Sequence, residues 1–198
     1  MSHASEDSAE QSVEQSAGQS AGHGAGEDGD GGDDLLTIGA PTPETAHFRA
    51  VLGHFATGIV VITGIHEGVP AGLTCQSFVS LSLRPPLVAF CPSKASRSWR
   101  RIDQSSAFCA NVLTEEQEEI SRVFAISGAD KFQGIGWRPG DTGSPILKDV
   151  LAWVDCRIAA RYDGGDHHIV VGQVVDLATA SRGRPLLAYR GGYGHFEA

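Results

Sequence analysis

Apolar side chains recur at Phe48, Val51, Leu52 and Phe55, the i, i+3, i+4, i+7 spacing that lines one face of a helix. Thr42-Pro43-Glu44 precedes them as an N-cap with Pro at the first helical position, and Gly58 is expected to end the helix. The period then changes. Ile59–Ile62 is a β-branched run suited to a buried strand, and a turn at His66-Glu67-Gly68 leads into one long segment, Val69–Leu83, stopped by Pro85-Pro86. Leu87–Cys91 and Ala107–Leu113 read as short apolar strands. Thr114-Glu115-Glu116-Gln117 has the form of a capping box, opening a helix to about Ile126. Gly128–Pro145, rich in Gly, Asp and Pro, is expected to be a long surface loop. Strands follow at Ala152–Tyr162, His168–Leu177 and Leu186–Arg190. Six or seven strands and two or three helices, without regular alternation, predict a mainly β fold: an antiparallel barrel or sandwich with helices packed outside.

Charge divides the chain of 198 residues in two. Residues 1–46 hold ten of its 24 carboxylates and no Lys or Arg, leaving fourteen acids against 15 bases in the remainder. Residues 1–40 carry too little apolar surface to offset the entropy of ordering and are expected to be a disordered acidic tail. The domain is expected over 44–196. Its near-neutral charge argues against a nucleic-acid binder held by phosphate neutralisation. No window approaches a membrane span, and the N-terminus lacks the basic start and apolar stretch of a secretory signal, so the cytoplasm is the expected location. Cys75, Cys91, Cys109 and Cys156 are widely spaced, which fits reduced core thiols better than a metal site.

Five segments carry candidate chemistry. Thr74, Ser77, Ser80 and Ser82 put four small hydroxyls in one presumed strand, either a water-facing edge or a surface that lets a ligand approach the backbone. Ser93-Lys94-Ala95-Ser96-Arg97-Ser98 combines hydroxyls and cations around a helix start expected near Ser96 or Ser98, a setting that favours an anion such as phosphate; the bland reading is a capped helix with surface cations. Asn111 interrupts an apolar strand, so its amide must find backbone partners or the polar edge of a heterocycle. Asp163–Gly172 is a Gly turn feeding a strand, with His167 and His168 at its entrance. Tyr189-Arg190-Gly-Gly-Tyr-Gly-His195 suits either a stacking ring or a loose C-terminus.

The order T-x-x-S-x-x-S-x-S-x-x-P-P-L at Thr74–Leu87, the Ser/Lys/Arg turn at 93–98, N-V-L at Asn111–Leu113, G-D-H at Gly165–His167 and Y-R-G at Tyr189–Gly191 resembles the short-chain flavin reductase family, and within it the reductase components of two-component flavin-dependent monooxygenases. The resemblance covers roughly residues 44–196. It implies a split β-barrel homodimer that binds FMN, or FAD, and transfers hydride to it from NADH, weakly favoured over NADPH. Reduced flavin would then diffuse to a partner monooxygenase. It further implies that Thr74, Cys75, Gln76, Ser77 and Ser80 line the flavin ring, that Ser93, Lys94, Ser96, Arg97 and Ser98 hold its phosphate, and that Asn111 and Val112 wall the site. His167, Tyr189, Arg190 and His195 would receive the nicotinamide nucleotide. His167 is the one catalytic candidate, and no metal is implied. A split-barrel flavoprotein with tightly bound cofactor acting directly on substrate, and a non-enzymatic flavin- or haem-binding module, are the alternatives.

Overall fold

The computed structural model describes residues 42–128 and 130–197. The acidic tail at 1–40 lies outside the described residues. Among the described residues three helices, α1 (Pro43–Leu52), α2 (Arg97–Ser105) and α3 (Glu118–Ala125), accompany twelve strands. These are β1 (Thr57–Gly58), β2 (Val60–His66), β3 (Val69–Cys75), β4 (Val79–Leu83), β5 (Pro86–Phe90), β6 (Ala107–Val112), β7 (Trp137–Pro139), β8 (Pro145–Leu147), β9 (Ala152–Gly164), β10 (His167–Thr179), β11 (Leu186–Tyr189) and β12 (Gly192–His195). All pairings are antiparallel, as the lack of strand–helix alternation predicts.

Seven strands form the main sheet in the order β3-β2-β6-β9-β10-β5-β4. Its two outer strands are consecutive in the chain and joined by only Gln76-Ser77-Phe78. Such a link spans about 14 Å at most, whereas the outer strands of a flat seven-stranded sheet would stand about 29 Å apart. The sheet is therefore rolled on itself, its edges meeting at residues 76–78. Here the single segment expected over Val69–Leu83 is corrected to two strands. At the break the Ser77 side chain replaces a ladder rung: its hydroxyl oxygen accepts the Cys91 N–H at 2.8 Å and faces the Cys91 carbonyl at 3.3 Å.

The period-2 geometry of β2 and β6 sends alternate side chains to two cores. Val60, Ile62, Phe108 and Ala110 pack with Phe90, Trp99, Ile102 and Val170 on one face. Ile59, Val61 and Cys109 pack with Leu113, Phe124, Trp153 and Leu186 on the other. Burial on both faces is why the run from Ile59 to Ile62 is continuously apolar.

Three further expectations differ. Thr42 caps α1, its hydroxyl oxygen accepting from the Thr45 N–H at 3.3 Å, but Gly53 ends the helix and its apolar face is exposed, Phe48 by 65% and Phe55 by 76%. The 128–145 segment is not a plain surface loop: it holds β7 and the start of β8, and its Lys131, Ser144 and Pro145 are buried. The C-terminal Tyr/Gly alternation forms the β11–β12 hairpin, turned by Arg190 and Gly191 at φ 50° and 78°. Gln117 completes the expected capping box by accepting the Thr114 N–H at 3.1 Å, although a short 3-10 turn precedes α3.

Candidate functional site

A cleft of about 830 Å³ opens where the rolled sheet's edges meet. Its walls are the end of β3 and the crossing behind it (Leu73–Ser77), residues 91–93 and 95–97, the end of α3 with Phe124 and Ala125, and His167 at the start of β10. The 91–96 segment is shaped by its neighbours. Pro92 and Asp166 carbonyls accept from His168 and Lys94 N–H groups, each at 3.0 Å, so the β9–β10 turn braces it from outside. Ser96 then caps α2, its hydroxyl oxygen accepting the Trp99 N–H at 3.2 Å. The N-terminal end of α2, where the dipole is positive, thus sits at the cleft.

Charge in the cleft has one sign. Arg97, Arg100 and Lys131 line it, and no carboxylate does among the described residues. Lys131 is 8% exposed, and its ammonium donates to the carbonyls of Gly72 (3.2 Å) and Phe124 (3.1 Å) and to the Ser98 hydroxyl (3.2 Å). Burial pushes its pKa down to about 8. Cys75 is buried beside Ser77, with Sγ 3.1 Å from Oγ, and desolvation raises its pKa, so it is a neutral thiol and not a nucleophile. His167 Nδ1 lies 2.8 Å from the Asp166 carboxylate, and that hydrogen bond holds Asp166 below the usual carboxylate range. Nδ1 carries the proton in this pair, which leaves Nε2 as the nitrogen open to a ligand.

The cleft brings together Thr74, Cys75, Gln76, Ser77, Ser93, Ser96, Arg97 and His167 from the residues singled out in the sequence. The Thr74 hydroxyl is engaged, donating to the Ser121 carbonyl at 2.6 Å. The others stand elsewhere. Lys94 pairs with Asp163, whose carboxyl it holds low, and is not a lining residue. Ser98 is turned to Lys131, and Ser80 lies exposed on β4. Asn111 is fully buried: its amide nitrogen donates to the Val61 carbonyl and the Thr63 hydroxyl, both at 3.1 Å, and its oxygen accepts the Leu147 N–H at 2.8 Å. Val112 is packed against the first core. Tyr189, Arg190 and His195 belong to the separate three-stranded sheet β1-β11-β12, where the Arg190 N–H donates to the Gly53 carbonyl at 2.8 Å. Lys131 and Arg100 were not legible as site residues. Arg100 has a signal in hindsight, since it stands one turn beyond Ser96-Arg97 on α2.

Two further observations bound the chemistry. Among the described residues no group of His, Cys, Asp or Glu is placed to hold a metal ion, and the four cysteines are free thiols. No helix among the described residues is long and apolar enough to cross a membrane.

Residues 52–197 match the model of the flavin reductase like domain. The chain is 55% identical over 152 residues (76% of this chain, 81% of the relative) to the flavin-dependent monooxygenase reductase subunit HsaB of Mycobacterium tuberculosis. It is 45% identical over 152 residues (76% and 89%) to a flavin reductase of Pseudomonas putida. The crystal structure of a nitrilotriacetate monooxygenase component B homolog from Mycobacterium thermoresistibile superposes with a TM-score of 0.76 at 51% identity, covering 78% of this chain and 87% of that one. With its sequence matched over most of its length by the family model and by a reductase subunit, this chain belongs to the flavin reductase-like family.

Proposed function

We propose that the chain is an NAD(P)H-dependent flavin reductase that supplies diffusible reduced flavin to a partner monooxygenase. The observation that carries this is the cleft itself: three cations, small hydroxyls and a helix N-terminus, with no carboxylate on its walls among the described residues. Its volume suits a mononucleotide, and an anionic phosphate fits its charge.

Arg97, with Ser93 and the capped start of α2, would hold the flavin phosphate of FMN or of FAD, and Thr74–Ser77 would lie along the ring. Bound flavin supplies the hydride acceptor and the reduced nicotinamide the donor. The protein's own contribution is placement and exclusion. The backbone of the β3 end offers hydrogen bonds without bulk, Cys75 contributes a neutral wall, and His167 offers Nε2 to orient the nicotinamide nucleotide. No group on the cleft walls needs to act as nucleophile. NADH is the preferred donor, because Arg182 and Arg184, the cations that a 2′-phosphate would need, line a different cleft and Arg184 pairs with Glu115 at 3.8 Å.

The exposed apolar side chains of α1 (Phe48, Val51, Leu52) and of β4 (Val79, Leu81, Leu83) suit burial against a second copy in a split-barrel homodimer. Four free thiols suit a reducing, cytoplasmic setting.

Steady-state turnover tests the reading. Dialysed protein should be colourless and should oxidise NADH only when FMN or FAD is added. A protein that stays yellow through dialysis would favour a resident-cofactor flavoprotein instead. Absence of turnover with FMN, FAD and riboflavin, using either nicotinamide, would remove the enzymatic reading altogether.

A further inference from the structure

Two of the four free cysteines, Cys75 and Cys91, line the same cleft. Cys75 ends β3, and Cys91 follows β5 across the gap where the rolled sheet closes. Ser77 Oγ stands between them, 3.1 Å from Cys75 Sγ and 2.8 Å from the Cys91 nitrogen. The Cys91 N–H also reaches toward Cys75 Sγ and favours its charge. The two cysteines are therefore neighbours in space, although a whole β-hairpin separates them in the chain.

This pair differs from the other two thiols. Cys109 and Cys156 are fully buried in the two cores, and desolvation pushes both pKa values up, that of Cys156 to about 12. Thiols so placed are inert toward a dissolved oxidant. Cys91 is half-buried and faces a cleft that solvent enters. Cys75 is 7% exposed and stays neutral, so the first encounter with an oxidant falls to Cys91.

We propose that Cys91 and Cys75 form a peroxide-sensitive thiol pair whose disulfide shuts the flavin cleft. The inference rests on this cleft's being the flavin site. Reduced flavin that no oxygenase takes up passes two electrons to dioxygen, yielding oxidised flavin and hydrogen peroxide. That peroxide is the co-reactant. In the first step Cys91 sulfur bonds one peroxide oxygen, the O–O bond breaks, and the other oxygen leaves as water with the thiol proton. Cys75, a neutral thiol toward everything else, then meets an electrophilic sulfur. The S–S bond forms, the S–O bond breaks, and the oxygen leaves as water with the Cys75 proton. Two thiols are oxidised by two electrons, and one peroxide is reduced to two waters. The disulfide ties two walls of the cleft together and displaces the Ser77 hydroxyl from between them, with loss of its rung to the Cys91 N–H. Reduced flavin made in excess thereby limits its own production.

Treatment of the dialysed, flavin-free protein with hydrogen peroxide tests this without turnover. Thiol titration of the denatured product should fall from four groups to about two. Residues 50–94 form one tryptic fragment that holds both cysteines, because Pro85 protects Arg84, and this fragment should lose two hydrogen atoms. Affinity for FMN, read by quenching of flavin fluorescence, should fall by about tenfold or more and return with dithiothreitol. Cys91→Ser and Cys75→Ser, each compared with its own untreated form, should keep FMN affinity within about twofold after peroxide. Four surviving thiols, oxidation that stops at Cys91, or a disulfide to Cys109 or Cys156 overturns the inference. So does an oxidised wild type that binds FMN unchanged, or a Cys91→Ser variant that loses as much affinity as the wild type. Untreated protein that oxidises no NADH with any flavin is a separate result, which strikes the proposed function and leaves the thiol count to stand by itself.

Discussion

Lys131 Nζ lies 3.2 Å from the Gly72 carbonyl oxygen, so a side chain from the segment before β7 fastens β3, the strand whose end walls the 830 Å³ cleft. The same ammonium holds the last carbonyl region of α3 through Phe124 and the start of α2 through Ser98. One cation thereby sets the spacing of three elements. It is held at a cost, because burial lowers its pKa from 10.5 to about 8.

That cost has a sign that can be measured. Between pH 8 and 10.5 the unfolded chain holds the Lys131 proton and the folded chain has released it, so unfolding takes up a proton and stability rises with pH. Lys131→Met removes this dependence. The unfolding free energy of the wild type, less that of Lys131→Met, should therefore grow by about 2–3 kcal/mol between pH 7 and pH 10. Urea titrations across that range check it. A difference that stays flat, or shrinks, means that Lys131 titrates normally in the fold.

Asn111 gives the contrasting case of a polar group that does not line the cleft. Its amide satisfies β2 and the N–H of Leu147 in β8, all inside the second core. Asn111→Ala should destabilise the fold by about 2–4 kcal/mol, since it leaves buried backbone groups without partners. KM for FMN should stay within about twofold of wild type. A large rise in KM in a variant that remains folded would return Asn111 to the flavin site.

These two residues also mark what the sequence can disclose. The hydroxyl and cation turn at 93–98 is legible because its chemistry is local: Ser96, Arg97 and the helix start that they serve are neighbours in the chain. The run of small polar residues at Thr74–Ser77 is legible for the same reason, although it is a strand end and the link behind it. Asn111 shows as a buried amide in an apolar run, but its choice of backbone over ligand depends on Val61, Thr63 and Leu147 in other strands. Lys131 leaves no local trace. It sits among Gly, Asp and Pro, and its burial is decided by Gly72, which is 59 residues away. The apolar stripe of α1 has the helical period of a core face, yet the described residues bury none of it. Periodicity reports which side of a helix is apolar, not what covers it.

Packing across the sheet yields a third prediction. A Cβ at Gly172 of β10 would stand 2.4 Å from Phe108 Cζ, a ring that is fully buried and cannot swing away. Gly172→Ala should cost about 1–3 kcal/mol by overpacking. Phe108→Leu alone should cost stability through the lost volume. Combined, the two should cost less than their sum, and a double-mutant cycle by urea denaturation reads the coupling. Strict additivity would mean that the strain at Gly172 lies in the backbone and not against the ring.

Arg97 and Lys94 stand three residues apart in the same basic turn, but the fold gives them different work. Arg97 is on the walls of the 830 Å³ cleft, whereas Lys94 is turned to Asp163 in β9. A guanidinium grips a phosphate through two parallel hydrogen bonds, so Arg97→Ala should raise KM for FMN by about tenfold or more. Lys94→Ala breaks an exposed pair that ties the β9–β10 turn to the 93–96 segment, and exposed pairs contribute little. Its KM for FMN should rise by no more than about threefold. Riboflavin separates charge from shape, because it has the ring and ribityl chain without the phosphate. Arg97→Ala should leave KM for riboflavin within about twofold, and the selectivity of the enzyme for FMN over riboflavin should fall accordingly. If both flavins weaken alike, Arg97 shapes the cleft instead of gripping an anion. If Lys94→Ala has the larger effect, the phosphate is held from the β9–β10 side of the turn.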